Sequence, residues 1–379
     1  MELSTVWTGG HSQMVLCLGV DAEGRVASGS EGGEVCFWSP DGKITSKRTF
    51  PSKADVNSVC FSPQQPSVIY VSAGEVIELL DVRCPESSLE RFAFNREDIN
   101  QLAIDPKDGF LAACDDDGII KVVDLRNRKL FRTLKGHSAI CSSVRFHPTV
   151  PREIASGGLD CLVHTWETTR GSPRASVNMK EVVIAGEDEH TPSPYLINPP
   201  FVHSVDFTRS GELLACGLEN ARVQLLDRRG RRDLEVGQSL EAHTSGVTQV
   251  SFIPEYPGQM QDLLLSAGND CRIMLWDTNR HTIPKDGLKP EDHTTENSEI
   301  ENLKSESDKP PEQERAEKVS DRGDKGACSS DDSKTKPRLC VKHKDKINWI
   351  APYCSASGVN MVFVADVSEI ISVYQWKVD

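Results

Sequence analysis

Leu111-Ala-Ala-Cys-Asp-Asp-Asp-Gly-Ile-Ile-Lys-Val-Val-Asp-Leu-Arg126 reads as an apolar strand, an acidic Asp-Gly turn, a second alternating strand and a closing Asp-Leu-Arg. Asp-Gly between two apolar runs is a strong short-range hairpin signal, and Ile120, Val122 and Val123 favour strands. One such hairpin decides little. Its recurrence along the chain decides the fold.

A marker on the last large residue of the hairpin's second strand falls at Trp38, Leu80, Val123, Trp166, Leu226, Trp276 and Tyr374. The first three intervals are 42, 43 and 43 residues, the length of a unit of four short strands; the later intervals of 60, 50 and 98 carry insertions. Other positions keep register with the marker. Ser28, Ser156 and Ser266 stand ten residues before it, and Asp117, Asp160, Asn220 and Asp270 six residues before it. Gly10-His11, Gly136-His137, Ala242-His243 and Lys342-His343 open four of the units. Units four and six hold the full set: His137, Ser156, Asp160, Trp166 and His243, Ser266, Asp270, Trp276.

These residues resemble the WD-repeat family over most of the chain. The resemblance implies an all-β, seven-bladed WD40 β-propeller in which His, Ser, Asp and Trp form buried hydrogen-bonded tetrads. Buried polar side chains are tolerable when they satisfy one another. Ser, His and Asp also invite comparison with a catalytic triad, but a set that recurs in register behaves as a fold device. The strand-like run Leu3–Thr8 is expected to supply the outer strand of the last blade and close the ring.

Two stretches break the repeat. Glu167 to Pro200 contains an expected outer strand near Ala175–Met179, followed by a loop. The second is long and charged and holds no Phe, Tyr or Trp between His281 and Arg338, so it lacks the apolar surface to order itself. It is expected to be a disordered insertion between blades six and seven. It would be either a tolerated insertion or a docking segment with a phosphorylation site at Ser329-Ser330-Asp331-Asp332. The expected organisation is therefore residues 1–278 for blades one to six, 279–338 for the insertion and 339–379 for blade seven.

A chain of 379 residues with 37% hydrophobic and 26% charged residues can bury a large core. No apolar run approaches a membrane span of roughly 18 residues, and the first residues carry neither a basic region nor an apolar signal core. The expected location is cytoplasmic or nuclear, without a membrane partner. A net charge of −14 argues against direct nucleic-acid binding. The twelve cysteines are scattered with no Cys-x-x-Cys, which favours buried free thiols over a metal site. Gly-x-x-x-x-Gly-Lys-Ser/Thr, Gly-x-Ser-x-Gly and His-Glu-x-x-His are all missing. The expectation is a non-enzymatic interaction scaffold without cofactor or metal.

One motif narrows this. Three units continue past the marker as Asp-x-Arg: Asp81-Val-Arg83, Asp124-Leu-Arg126 and Asp227-Arg-Arg229. The first two lie on successive blades, where the arginine would point to one rim as a planar fork for carbonyl or carboxylate groups. This resembles the WD-x-Arg box of WD-repeat receptors that bind the damaged-DNA-binding-protein-1 adaptor of cullin-4 ubiquitin ligases. Carried over, the resemblance implies adaptor contacts at Arg83 and Arg126, with Asp81 and Asp124 as supports and Arg229 on a more distant blade. A monomeric receptor would then hold a protein substrate of unknown identity. Leu80, Val123 and Leu226 replace the family's Trp, whereas Trp276-Asp-Thr-Asn279 lacks the Arg. Asp-x-Arg can also be a strand-end ion pair worth under about 1 kcal/mol. The rival expectation is a scaffold of a chromatin or RNA-processing complex.

Overall fold

The computed structural model describes residues 1–184, 199–228, 234–241, 243–254, 262–278, 336–355 and 357–377. Strand β1 (Glu2–Trp7) comes first and is used last. Blade one is β2 (Val15–Val20), β3 (Val26–Ser30), β4 (Glu34–Trp38) and β5 (Ile44–Thr49). Blade two is β6 (Val59–Phe61), β7 (Val68–Ala73), β8 (Val76–Asp81) and β9 (Glu90–Phe92). Blade three is β10 (Ile99–Ile104), β11 (Phe110–Asp115), β12 (Ile119–Asp124) and β13 (Lys129–Lys135). Blade four is β14 (Cys141–Phe146), β15 (Glu153–Gly158), β16 (Leu162–Glu167) and β17 (Ala175–Asn178), followed by helix α1 (Met179–Ile184). Blade five is β18 (Val202–Phe207), β19 (Leu213–Leu218), β20 (Arg222–Asp227) and β21 (Glu235–Glu241). Blade six is β22 (Val247–Phe252), β23 (Leu263–Gly268), β24 (Arg272–Asp277) and β25 (Leu339–Lys342). Blade seven is β26 (Ile347–Cys354), β27 (Asn360–Asp366) and β28 (Ile371–Trp376), completed by β1.

The chain is thus a seven-bladed propeller with almost no helix. Every marker residue lies in the third strand of its blade and is buried. The closure expected of the N-terminal run is present, with Leu3 opposite Tyr374 and Val6 opposite Ser372. It gives the last blade a partner for its third strand and removes an exposed edge.

Strand structure resumes at Leu339 as expected, but this strand completes blade six and does not open blade seven. Residues 279–335, which lie outside the described residues along with the phosphorylation site expected there, join β24 to β25. Leu275 pairs with Leu339 and Arg272 with Lys342, so the outer strand of blade six follows the insertion. Leu339–Lys342 was expected in blade seven because spacing alone does not show which blade the first strand after an insertion joins.

The core lies between blades. Ala155 and Val163 of blade four pack with Val202, Val205 and Cys216 of blade five, and the pattern repeats around the ring. Gly157 marks how close the sheets come: a Cβ there would lie 2.4 Å from Val202 Cγ1. Polar stitches cross the same interfaces near the channel. The Ser58, Ser143 and Ser204 hydroxyls accept the backbone N–H groups of Leu102, Val205 and Val250 on the following blades.

The opening stretch forms β11 and β12 joined by Asp116, Asp117 and Gly118. Gly118 has φ +72, and its N–H donates to Asp115 O while Ile119 N–H donates to the Asp115 carboxylate. This is the three-residue hairpin loop that ends in a left-handed residue. The same position, five before the marker, is left-handed at Gly33, Cys161, Ala221 and Cys271.

Candidate functional site

Two polar systems could carry function: the recurrent buried sets and the Asp-x-Arg rim. In blade four the Trp166 indole N–H donates to Ser156 Oγ at 2.8 Å. Ser156 Oγ is also 2.8 Å from His137 Nε2, and His137 Nδ1 is 3.0 Å from Asp160. One proton assignment satisfies all four groups: the hydroxyl donates to Nε2, and Nδ1–H donates to the carboxylate. Asp160 also accepts from the Ser138 and Leu162 backbone. Burial would raise the Asp160 carboxyl, but the hydrogen bond from His137, with the backbone donors, holds it below the usual carboxylate range.

Blade six repeats this geometry with His243, Asp270, Ser266 and Trp276 at the same distances. Blade one keeps His11, Ser28 and Trp38 but offers Glu34, whose carboxylate stays 3.7 Å from His11 Nδ1. Burial lowers His11 to about 4.

Two further versions were not legible from the marker offsets. In blade seven His343 is turned so that Nε2 faces Asp366 and Nδ1 faces the Tyr374 hydroxyl, each at 2.8 Å. In blade three the buried Asp115 accepts from the Asn95 amide at 2.8 Å, whereas Asp117 is exposed. Both acids stand eight residues before the marker, a second register that would have found them. Asn220 of blade five has a buried amide with no hydrogen-bond partner among the described residues.

The Ser156 and Ser266 hydroxyls are fully buried, so no substrate carbonyl can reach them. His164 brings a third ligand-type atom within 4.8 Å of His137 and Asp160. Those two are already saturated by the tetrad. Eleven described cysteines are unpaired, and six of them are buried.

The Asp-x-Arg tripeptides occupy one rim, where the third strand ends and the second begins. The N–H groups of Val82, Leu125 and Arg228 donate to Ser67 O, Gly109 O and Glu212 O, which fixes the chain just past each aspartate. Arg83 grips Asp81 with both ends of its guanidinium, at 2.9 and 2.5 Å, yet its side chain remains 71% exposed. Hydrogen bonds from the Arg83 side chain and then its N–H pull Asp81 down to about 2.

Asp124 is used differently. It accepts from the Asn127 N–H and side-chain amide and from the Arg126 N–H, so it caps the turn instead of holding the guanidinium. Arg126 is exposed and its guanidinium makes no salt bridge among the described residues, although its charge helps to lower Asp124.

The third tripeptide departs further. Arg228, its middle residue, turns inward to the buried Glu153 of blade four at 2.6 Å, and Arg174 approaches the same carboxylate at 3.3 Å. Arg229 lies outside the described residues. Arg83 borders a cleft of about 250 Å³ between blades one and two, beside Trp38, Phe61 and Val82.

The sequence model of the WD domain, G-beta repeat, matches residues 87–124, 128–167 and 234–277. Each match ends with the third strand of a blade and begins in or near the outer strand of the blade before it. The chain therefore carries WD40 repeats on a seven-bladed propeller, a fold that typically serves as a non-catalytic interaction scaffold. It is similar to the WD repeat-containing protein 53 homolog of Dictyostelium discoideum, with 28% identity over 71% of this chain and 77% of that one. WD repeat-containing protein 70 of Xenopus laevis is 23% identical over 72% of this chain. E3 ubiquitin-protein ligase COP1 of Pisum sativum is 25% identical over 54%. The chain spans 37% and 26% of those last two relatives. No described helix is long and apolar enough to cross a membrane.

Proposed function

We propose that this propeller is a substrate receptor. Its Asp-x-Arg rim docks to the damaged-DNA-binding-protein-1 adaptor of a cullin-4 ubiquitin ligase, and another face holds a protein to be ubiquitinated. Catalysis belongs to the partner subunits, and the complex works in the cytoplasm or nucleus. The observation that carries this reading is the pair of exposed guanidinium groups, Arg83 and Arg126, in the same register on successive blades. Arg83 is pre-oriented by Asp81 and Arg126 is free to take a carboxylate or carbonyl from the partner. The likeness of part of the chain to a protein named as a ubiquitin ligase supports the same direction.

The test is recovery of the adaptor with the full chain carrying Arg83→Ala and Arg126→Ala together. Recovery should fall at least about tenfold, the scale of losing central arginine contacts in an interface. A folded double variant that recovers as much adaptor as the unchanged protein refutes the rim assignment. An unchanged protein that recovers none leaves the chromatin or RNA-processing scaffold as the better reading.

A further inference from the structure

The surroundings of Arg126 say more about its partner than the tripeptide does. Arg126 and Lys107, from the loop between β10 and β11, both border two clefts and so form a ridge between them. Both are exposed, and neither makes a salt bridge among the described residues, although Asp124 lies near enough to Arg126 to feel its charge. Asp105 and Asp124 border one cleft and Glu90 and Asp108 the other, so in each wall three cations stand against two carboxylates, an excess of positive charge in a chain of net charge −14.

The cleft toward blade two encloses about 630 Å³. Tyr70, Leu79, Phe92 and Leu125 line it, and Leu89, 58% exposed, stands at its edge. Arg128 also borders it but is held by Glu90 at 3.1 Å. The cleft toward blade four, about 380 Å³, has Phe110, Pro148 and Pro151 in its wall. Its loop is held rigid by His147 Nδ1, which accepts the Thr149 and Val150 N–H groups. The Arg152 guanidinium lies over Phe110, 5.6 Å from the ring centre. A ridge with this excess of cations, beside clefts that hold apolar side chains in their walls, is complementary to a segment that joins carboxylates to a bulky apolar side chain.

We propose that the adaptor contributes such an acidic, apolar-tipped segment. Its carboxylate lies across Lys107 and Arg126, and its apolar side chain enters the cleft between blades two and three. This rests on the receptor reading above and adds Lys107 and Leu89 as determinants that no Asp-x-Arg pattern contains.

The test measures adaptor affinity for the full chain with Lys107→Glu, with Leu89→Asp and with Val236→Asp as control. Val236 is 50% exposed on the outer strand of blade five. All three sites are exposed, and thermal melts check that each variant folds; Lys107→Gln and Leu89→Ser replace any that does not. Lys107→Glu should weaken binding by about tenfold or more and flatten its salt dependence, Leu89→Asp should weaken it by about fivefold, and the control should not change. If the Lys107 and Leu89 variants bind within about twofold of the unchanged protein while Arg83→Ala/Arg126→Ala loses the adaptor, this proposal fails and the receptor reading stands. If the unchanged protein binds no adaptor, both fall.

Discussion

Replacing Ser156 by Ala removes one oxygen and leaves two buried groups without partners. The Trp166 indole N–H loses its acceptor and His137 Nε2 loses its donor, each from a hydrogen bond of 2.8 Å in a site closed to water. An unsatisfied buried polar group costs about 1–3 kcal/mol, so the two together should cost about 3 kcal/mol once local relaxation is allowed for. For a domain of this size about 2 °C is lost per kcal/mol, so the melting temperature should fall by about 6 °C. Urea unfolding and calorimetry at pH 7 read this directly. Trp166→Phe removes the donor as well as some packing, so the double variant should be less destabilised than the sum, by about 1 kcal/mol. Ser266→Ala, in the same geometry in blade six, should match Ser156→Ala closely. A Ser156→Ala protein within about 0.5 kcal/mol of the unchanged one would refute the view that the tetrad stabilises its blade.

Four other outcomes follow from the same structure. Gly118→Ala puts a Cβ at φ +72 and 2.4 Å from Ala139 O, so it should destabilise by about 2 kcal/mol or more, whereas Ala221→Gly at φ +69 should stabilise by up to about 1 kcal/mol; chemical denaturation measures both. Burial lowers His11, His147 and His164 to about 4, so between the ordinary value near 6.5 and about 4 the unfolded chain binds more protons than the folded one. Stability should be fully present above that window and fall as the pH drops through it, and a flat profile of unfolding free energy from pH 7 to 4.5 would contradict this. Glu153→Gln weakens the clasp that joins Arg174 of blade four to Arg228 of blade five, and should cost about 2 kcal/mol by the same unfolding measurement, more than Glu→Gln at an exposed pair. Ending the chain at residue 338 removes β25 and three strands of blade seven, which should leave an opened ring that limited proteolysis cleaves rapidly.

Much of this propeller is legible in one dimension because each blade is a local unit. The spacing of Trp38, Leu80, Val123 and Trp166 counts strands, and the closing role of Leu3–Thr8 follows from a last unit that has only three strands of its own. The tetrads of blades four and six were also within reach, since their four residues lie within one repeat. The Asn95–Asp115 pair and the His343–Asp366–Tyr374 set escaped because the acid can stand six or eight residues before the marker, and only the turn geometry selects one.

By itself the sequence determined that seven four-stranded units form one ring, and that arginines stand in register on two neighbouring blades. Hydrophobic periodicity and turn residues act over a few positions, so they are written locally. The tertiary structure alone decided that Asp81 holds Arg83 while Asp124 caps its turn and releases Arg126. It also turned Arg228 inward to Glu153 and set Lys107 beside Arg126. These choices depend on loops from different strands and blades converging at one rim, and the energy of a charge depends on which neighbours reach it first.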